Sequence, residues 1–306
     1  MNKFIKGALA AGALAMAAPA FAQEIVVVSH GQANDAFWNV VKNGVEQAGK
    51  DAGVNVEYRA PETFDMVAMS QLIDAAVNQE PDGLIVSIPD ADALGPSIER
   101  AVAAGIPVIS MNSGSDVAAE LGVLLHVGQD EFDAGKAAGA KLAEMGGKNA
   151  ICVNHEVGNV SLDQRCAGFE EGFGGKVTVL PTSNDPSEIE SKVSAALASD
   201  ESIDTVMALG ASSAGEPSVA AVKASGRDVN VASFDLSANF LQSIVDGDAA
   251  FAVDQQQYLQ GYLPVVFMAL NAKYGLMPGG NVPSGPNLIT ADKAAQVIEL
   301  SAQGIR

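Results

Sequence analysis

Short apolar runs rich in valine, isoleucine and leucine alternate along the chain with longer segments whose apolar residues recur at helical spacing. That alternation predicts parallel strands covered by helices on both faces, an α/β architecture. The first run, 24–29, precedes a helix from about 36 that stops at Gly53, since glycine takes the left-handed C-terminal conformation cheaply. A strand at 54–58 leads to a helix whose Met66, Met69, Ile73, Ala76 and Val77 make one apolar stripe, so its methionines belong to a core. Strand 83–87, a helix with Pro96 in its first turn, and strand 107–111 complete a first series.

The pattern then restarts, with strands at 123–127, 149–153, 177–180, 204–208, 229–234 and 251–253 and helices near 133–144, 162–173, 187–197, 215–224 and 238–246. No low-complexity linker separates the two series, which predicts two similar Rossmann-like lobes with parallel sheets, joined by ordinary strands. The long helix 258–274 is expected to return to the first lobe and the final helix, from 291, to the second. A three-strand hinge follows: 23–128 with 256–288 form the N-terminal lobe, and 129–255 with 289–306 the C-terminal lobe. Gly135 and Gly139, four apart, suit close packing of two helices.

The first 22 residues change the picture of where this happens. Lys3 and Lys6, an alanine-rich apolar run at 8–17 and the closing Ala20-Phe21-Ala22 have the form of a secretory signal peptide cleaved after Ala22. No later stretch approaches the roughly 18 to 20 apolar residues that span a bilayer. The next residue is Gln23, not the cysteine that lipid attachment requires, so no membrane anchor is expected. The formal net charge of −20 becomes more negative once the leader's two lysines are gone. Such a surface repels nucleic acid and anionic lipid. Cys152, in a strand, and Cys166, in the next helix, can close a disulfide in an oxidising compartment or stay as two buried thiols.

In open parallel sheets ligands bind outside the carboxyl ends of the strands, so the residues just after each strand carry the chemistry. After the first come Asn34, Asp35, Phe37 and Trp38, two polar groups beside two rings. Aromatic faces stack on the C–H faces of a sugar while amides and carboxylates bond its hydroxyls, although Asn34 or Asp35 could equally cap the helix. Asp90 and Asp235 each place a carboxylate after a strand, and Asp90 too serves either as a cap or as an acceptor for vicinal hydroxyls. Arg165 opens a helix, where a cation opposes the dipole, and that misfit points to function.

Enzyme signatures are missing. No G-x-S-x-G elbow, H-E-x-x-H pair or phosphate-cradling glycine loop occurs, so neither an enzyme activity nor a cofactor is expected. His30, His126 and His155 lack metal-ligand spacing, and His30 and His155 are read instead as ligand or rim contacts. A DNA-binding repressor would need a basic helix-turn-helix where the leader stands.

Over essentially its whole mature length the chain resembles the periplasmic sugar-binding proteins of the ribose- and galactose-binding type, the receptors of ABC importers. The resemblance is carried in order by Asn34-Asp35-Ala36-Phe37-Trp38, Ile85-Val86-Ser87-Ile88-Pro89-Asp90, Gly105-Ile106-Pro107-Val108-Ile109, Val127-Gly128-Gln129-Asp130, Arg165 with Gly168-Phe169, Ser233-Phe234-Asp235 and Val253-Asp254-Gln255-Gln256. It implies that Phe37 and Trp38 sandwich a sugar ring and that Asp35, Asp90, Arg165, Asp235 and Gln255 bond its hydroxyls, with Gln129 and Gln255 near the interlobe crossings. It implies a monomeric periplasmic receptor for a carbohydrate or polyol, partnered by a permease with a separate ATPase. The chain departs from the ribose receptors at His30-Gly31-Gln32, in a longer loop 154–159 that adds Glu156 to the candidate contacts, and at Leu209-Gly210-Ala211-Ser212. Those changes point away from ribose itself. A receptor of this fold for a non-sugar or signalling ligand, serving chemotaxis, is the alternative.

Overall fold

The computed structural model describes residues 22–31 and 35–306. Residues 1–21, nearly all of the expected leader, and 32–34, including Asn34, lie outside the described residues. The first lobe opens with β1 (Glu24–Val28), α1 (Ala36–Ala52), β2 (Asn55–Arg59), α2 (Met66–Val77), β3 (Gly83–Val86), α3 (Ala91–Ala103), β4 (Val108–Asn112) and β5 (His126–Gly128). The second contains α4 (Glu131–Glu144), β6 (Asn149–Asn154), α5 (Val160–Phe173), β7 (Lys176–Pro181), α6 (Pro186–Ser199), β8 (Thr205–Ala208), α7 (Glu216–Ser225), β9 (Asn230–Phe234), α8 (Ala238–Asp246) and β10 (Phe251–Asp254). A π-helical turn, Ala211–Gly215, precedes α7. The chain then continues through α9 (Gln257–Tyr274), β11 (Val282–Pro283), β12 (Asn287–Ile289) and α10 (Ala291–Ala302).

The sheets run β2-β1-β3-β4-β5-β11 and β7-β6-β8-β9-β10-β12. Central strands are buried on both faces, as in β3 and β6, whereas the edge strands β2 and β7 are partly exposed. Each sheet therefore separates two apolar clusters, one under each helical layer.

Three passages connect the lobes: Gln129–Asp130, Gln255–Gln256 and residues 284–286. Strands β5, β10 and β11 all end at these passages, while β12 begins at one. Hence β11 pairs parallel to β5, but β12 pairs antiparallel to β10 with Ala252 opposite Ile289. The expectation of wholly parallel sheets thus fails at one edge. Asn287 and Leu288, expected in the first lobe, lie in the second sheet.

The helices beside the passages pack closely because glycine lets them. A Cβ on Gly135 or Gly139 of α4 would stand 2.1 Å from Arg165 O or 2.3 Å from Phe169 O. One on Gly168 or Gly172 of α5 would stand 1.9 Å from Phe132 O or 2.0 Å from Lys136 O. Cys152 of β6 and Cys166 of α5 are joined as a disulfide, with Cα atoms 5.9 Å apart. Helix α5 is therefore fixed to the sheet behind it and to α4 beside it.

The lobes also touch across the cleft. Val160 N donates to Pro89 O at 3.0 Å and Gln164 Nε2 to Asp116 Oδ2 at 2.8 Å. At the far end Asn43 Nδ2 on α1 donates to Gly304 O at 3.0 Å.

Candidate functional site

The carboxyl ends of the two sheets face one another and enclose a cavity of about 510 Å³, its open mouth included. From the first lobe it receives His30, Asp35, Phe37, Trp38 and Asn112. From the second it receives His155, Glu156, Asn159, Arg165, Asp235 and the stretch Leu209–Ser213, with Gln255 at the second passage.

Local structure sets each of these. Asp35 caps α1, its Oδ1 accepting from Phe37 N at 2.8 Å. Phe37 and Trp38 follow on the first turn, with ring centres 5.1 Å apart and planes at 76°. Adjacent helical residues point in different directions, so the two rings form a corner, which corrects the expected sandwich. His30 meets Trp38 edge-on at 4.7 Å, and its Nδ1 lies 2.8 Å from Ser87 Oγ.

Arg165 is the buried cation of the cavity. Its Nε and Nη2 donate to Glu131 Oε2 and Oε1 at 2.6 and 2.9 Å, and Nη1 donates to Leu209 O at 3.3 Å. The guanidinium lies over the Phe234 ring, 4.5 Å from its centre. These bonds use three of the five guanidinium N–H groups and leave two for the cavity. Burial opposes the charge, and Glu131, joined by Asp235 and Glu156, more than offsets it, so Arg165 is held above its ordinary pKa. The close α4–α5 contact is what brings Arg165 to Glu131.

Around this cation stand carboxyl groups that burial pushes toward neutrality. Asp235 is driven up to about 7 by burial, against the pull of Arg165 and the Gln255 amide. Glu156 is driven up to about 7 by burial, against Asn159, which donates to its Oε2 at 2.9 Å. Asp35 is raised by burial as well. His30 and His155 are lowered to about 3, chiefly by burial and then by Arg165, so both are neutral at physiological pH.

Asp35, Phe37, Trp38, Glu156, Arg165, Asp235, Gln255, His30 and His155 are thus brought together, and Asn34 lies outside the described residues. Asp90 and Gln129 do not line the cavity. Asp90 Oδ1 is engaged by Ala93 N at 3.0 Å as the cap of α3, and Gln129 Nε2 turns to Glu131 Oε2 at 2.9 Å. Asn112 and Asn159 were not anticipated. Asn112 directly follows a predicted strand, and Asn159 caps the helix that carries Arg165; both signals were present in the sequence. Among the described residues no cluster of three or more His, Cys, Asp and Glu side chains could hold a metal, and no helix is long and apolar enough to cross a membrane.

Comparison with known proteins agrees with this geometry. A carbohydrate transporter from Acidothermus cellulolyticus 11B, solved in complex with myo-inositol, matches with a TM-score of 0.89 and 35% identity over 93% of this chain and 100% of that one. The ribose import binding protein RbsB of Haemophilus influenzae is 25% identical over 265 residues, 83% of this chain and 87% of that protein. The xylose/arabinose-binding protein XylF of Sulfolobus acidocaldarius is also 25% identical over 265 residues, but the chain spans only 65% of its length. The family model described as periplasmic binding protein domain matches residues 25–275. With two α/β lobes, three passages and a cavity between the sheet ends, the chain belongs to the periplasmic binding protein family, in its two-lobed type I form.

Proposed function

We propose that the protein captures a neutral polyhydroxy ring, a monosaccharide or sugar alcohol, in the interlobe cavity and delivers it to the permease of an ABC importer. ATP is hydrolysed by a separate subunit, and the receptor works as an unanchored periplasmic monomer after cleavage at Ala22. The observation that carries this reading is the charge arrangement at Arg165. Its cation is already compensated by Glu131, with Asp235, Glu156 and Asp35 on the same cavity. An anionic ligand would meet carboxylates and no free positive charge, whereas hydroxyls can donate to the acids and accept from the two remaining guanidinium N–H groups. The Phe37–Trp38 corner supplies an apolar surface for the C–H face of a ring.

Capture makes and breaks no bond in the ligand. Residues from both lobes line the cavity, so a bound ring favours the closed arrangement by its contacts with each. The inositol-bound relative puts cyclitols first among the candidates. Thermal unfolding of the mature protein with myo-inositol, pentoses, hexoses and linear polyols tests the reading. A true ligand at 100 times its Kd adds about 2.7 kcal/mol of stability. No shift with any of them would overturn it.

A further inference from the structure

Two of the three passages, and the end of β4, converge on a single side chain of α9 that does not line the interlobe cavity. Gln260 is fully buried (0% exposed). Its Nε2 donates to Gln255 Oε1 and to Ser284 Oγ, each at 3.0 Å, and its Oε1 accepts from Asn112 Nδ2 at 3.2 Å. The second Asn112 N–H reaches Gln255 Oε1 at 3.3 Å. Gln255 Oε1 therefore receives two donors, and turning that amide over would set N–H groups against N–H groups in a buried site. Its Nε2 is left with one direction, toward Asp235 Oδ1 at 2.5 Å. Asn112 reaches this position from a left-handed backbone, φ 64°, at the end of β4, and Asp235 stands at φ 68° after β9. Both are placed where a regular strand would not put them.

We propose that Gln260 is a positioning residue of the ligand site: it fixes which end of the Gln255 amide faces Asp235, and so ties the orientation of a cavity carboxyl to the second and third hinge passages. The proposal rests on the cavity being the polyol site, but its first readout needs no ligand. With Gln255 locked, Asp235 keeps one oxygen occupied and presents the other to the cavity. Without Gln260, Asn112 alone holds Gln255 Oε1, and the amide is free to rotate away from Asp235.

The test follows the Asp235 carboxyl by ¹³C NMR titration in the unliganded protein, for wild type, Gln260→Met, Gln255→Leu and the double variant, with melting curves for each. The expected result is that Gln260→Met moves the Asp235 titration upward, because a donor to its charged form is lost, and that it adds nothing once Gln255 is already leucine. An unmoved titration, or shifts that simply add, would overturn the proposal and leave Gln260 as packing. Should Gln260→Met not fold, Gln260→Leu gives the same readout without placing a new charge near Asp235. Calorimetry with myo-inositol supplies the second arm: binding weakens about tenfold in Gln260→Met, the loss of one charge-assisted hydrogen bond. Unchanged inositol affinity in the variant would count against positioning. No inositol binding by wild type would instead overturn inositol as the ligand, while the titration still decides the role of Gln260.

Discussion

The two lobes share a topology but bring different chemistry to the cavity. The first offers rings and neutral groups, His30, Phe37, Trp38 and Asn112, and its one acid there, Asp35, already caps α1. The second offers ionisable groups, Arg165 compensated by Glu131, and Asp235 and Glu156, which burial pushes toward their neutral forms. The scaffolding differs to match. Only the second lobe stitches its charged helix to the sheet with a disulfide. A wall that works by shape tolerates small shifts, whereas buried charges lose their compensation when a partner moves by an ångström.

Removing the cation tests this contrast most severely. Arg165→Ala leaves Glu131 buried without its partner and should cost about 3 to 5 kcal/mol in urea unfolding, along with all polyol-induced stabilisation. Breaking the disulfide with Cys166→Ser comes next, at about 3 kcal/mol for a loop of this length, and ligand affinity should fall with it because Arg165 is the adjacent residue. If affinity stays constant, the glycine contacts alone hold α5. On the other wall, Phe37→Ala should weaken binding about tenfold by calorimetry while the half-buried ring costs the apo protein little.

A pH series reads the second lobe directly. Asp235 sits near 7 in the folded protein, so the fold keeps a proton that the unfolded chain releases at about 4, and this carboxyl makes stability fall as pH rises between the two. The lowered His30 and His155 act in the opposite sense, favouring the fold as pH climbs from about 3 to 6.5. Asp235→Asn removes one downward contribution. Between pH 4.5 and 6.5 its stability should rise more steeply than wild type by up to about 1.4 kcal/mol per pH unit, as measured by thermal unfolding. Parallel profiles for the two proteins would place Asp235 in water. The smallest effect belongs to Asp90→Ala, which loses a helix cap worth about 1 kcal/mol and leaves ligand affinity unchanged. Lost binding there would return Asp90 to the site.

Much of this arrangement was legible in the chain. The alternation of runs marked both series of strands, the residues after those strands named Asp35, Phe37, Trp38 and Asp235, and a cation set early in a helix against the dipole named Arg165. What escaped depends on contacts distant in sequence. Asp90 and Asp35 read alike as acids at helix starts, yet only Asp35 faces the cavity, while the Pro89 carbonyl beside Asp90 is taken up by Val160 of the other lobe. Asn112 and Gln260 gain their roles from partners 143 and 24 residues away, at Gln255 and Ser284, which no local pattern connects. Strands β11 and β12, two and three residues long, are too short to show a period.

The glycine seam between α4 and α5 bears on how such a receptor can change its ligand over evolutionary time. At Gly135, Gly139, Gly168 and Gly172 any side chain would drive a Cβ into the facing backbone. Spacing between the helices, and with it the Arg165–Glu131 pair, is therefore closed to gradual variation. Ser212, Ser213 and the corner at Phe37 are under no such constraint, although Gly210 beside them is, since a Cβ there would stand 2.5 Å from Ser213 Oγ. New specificities can arise there by single substitutions, around a charge centre that stays where it is.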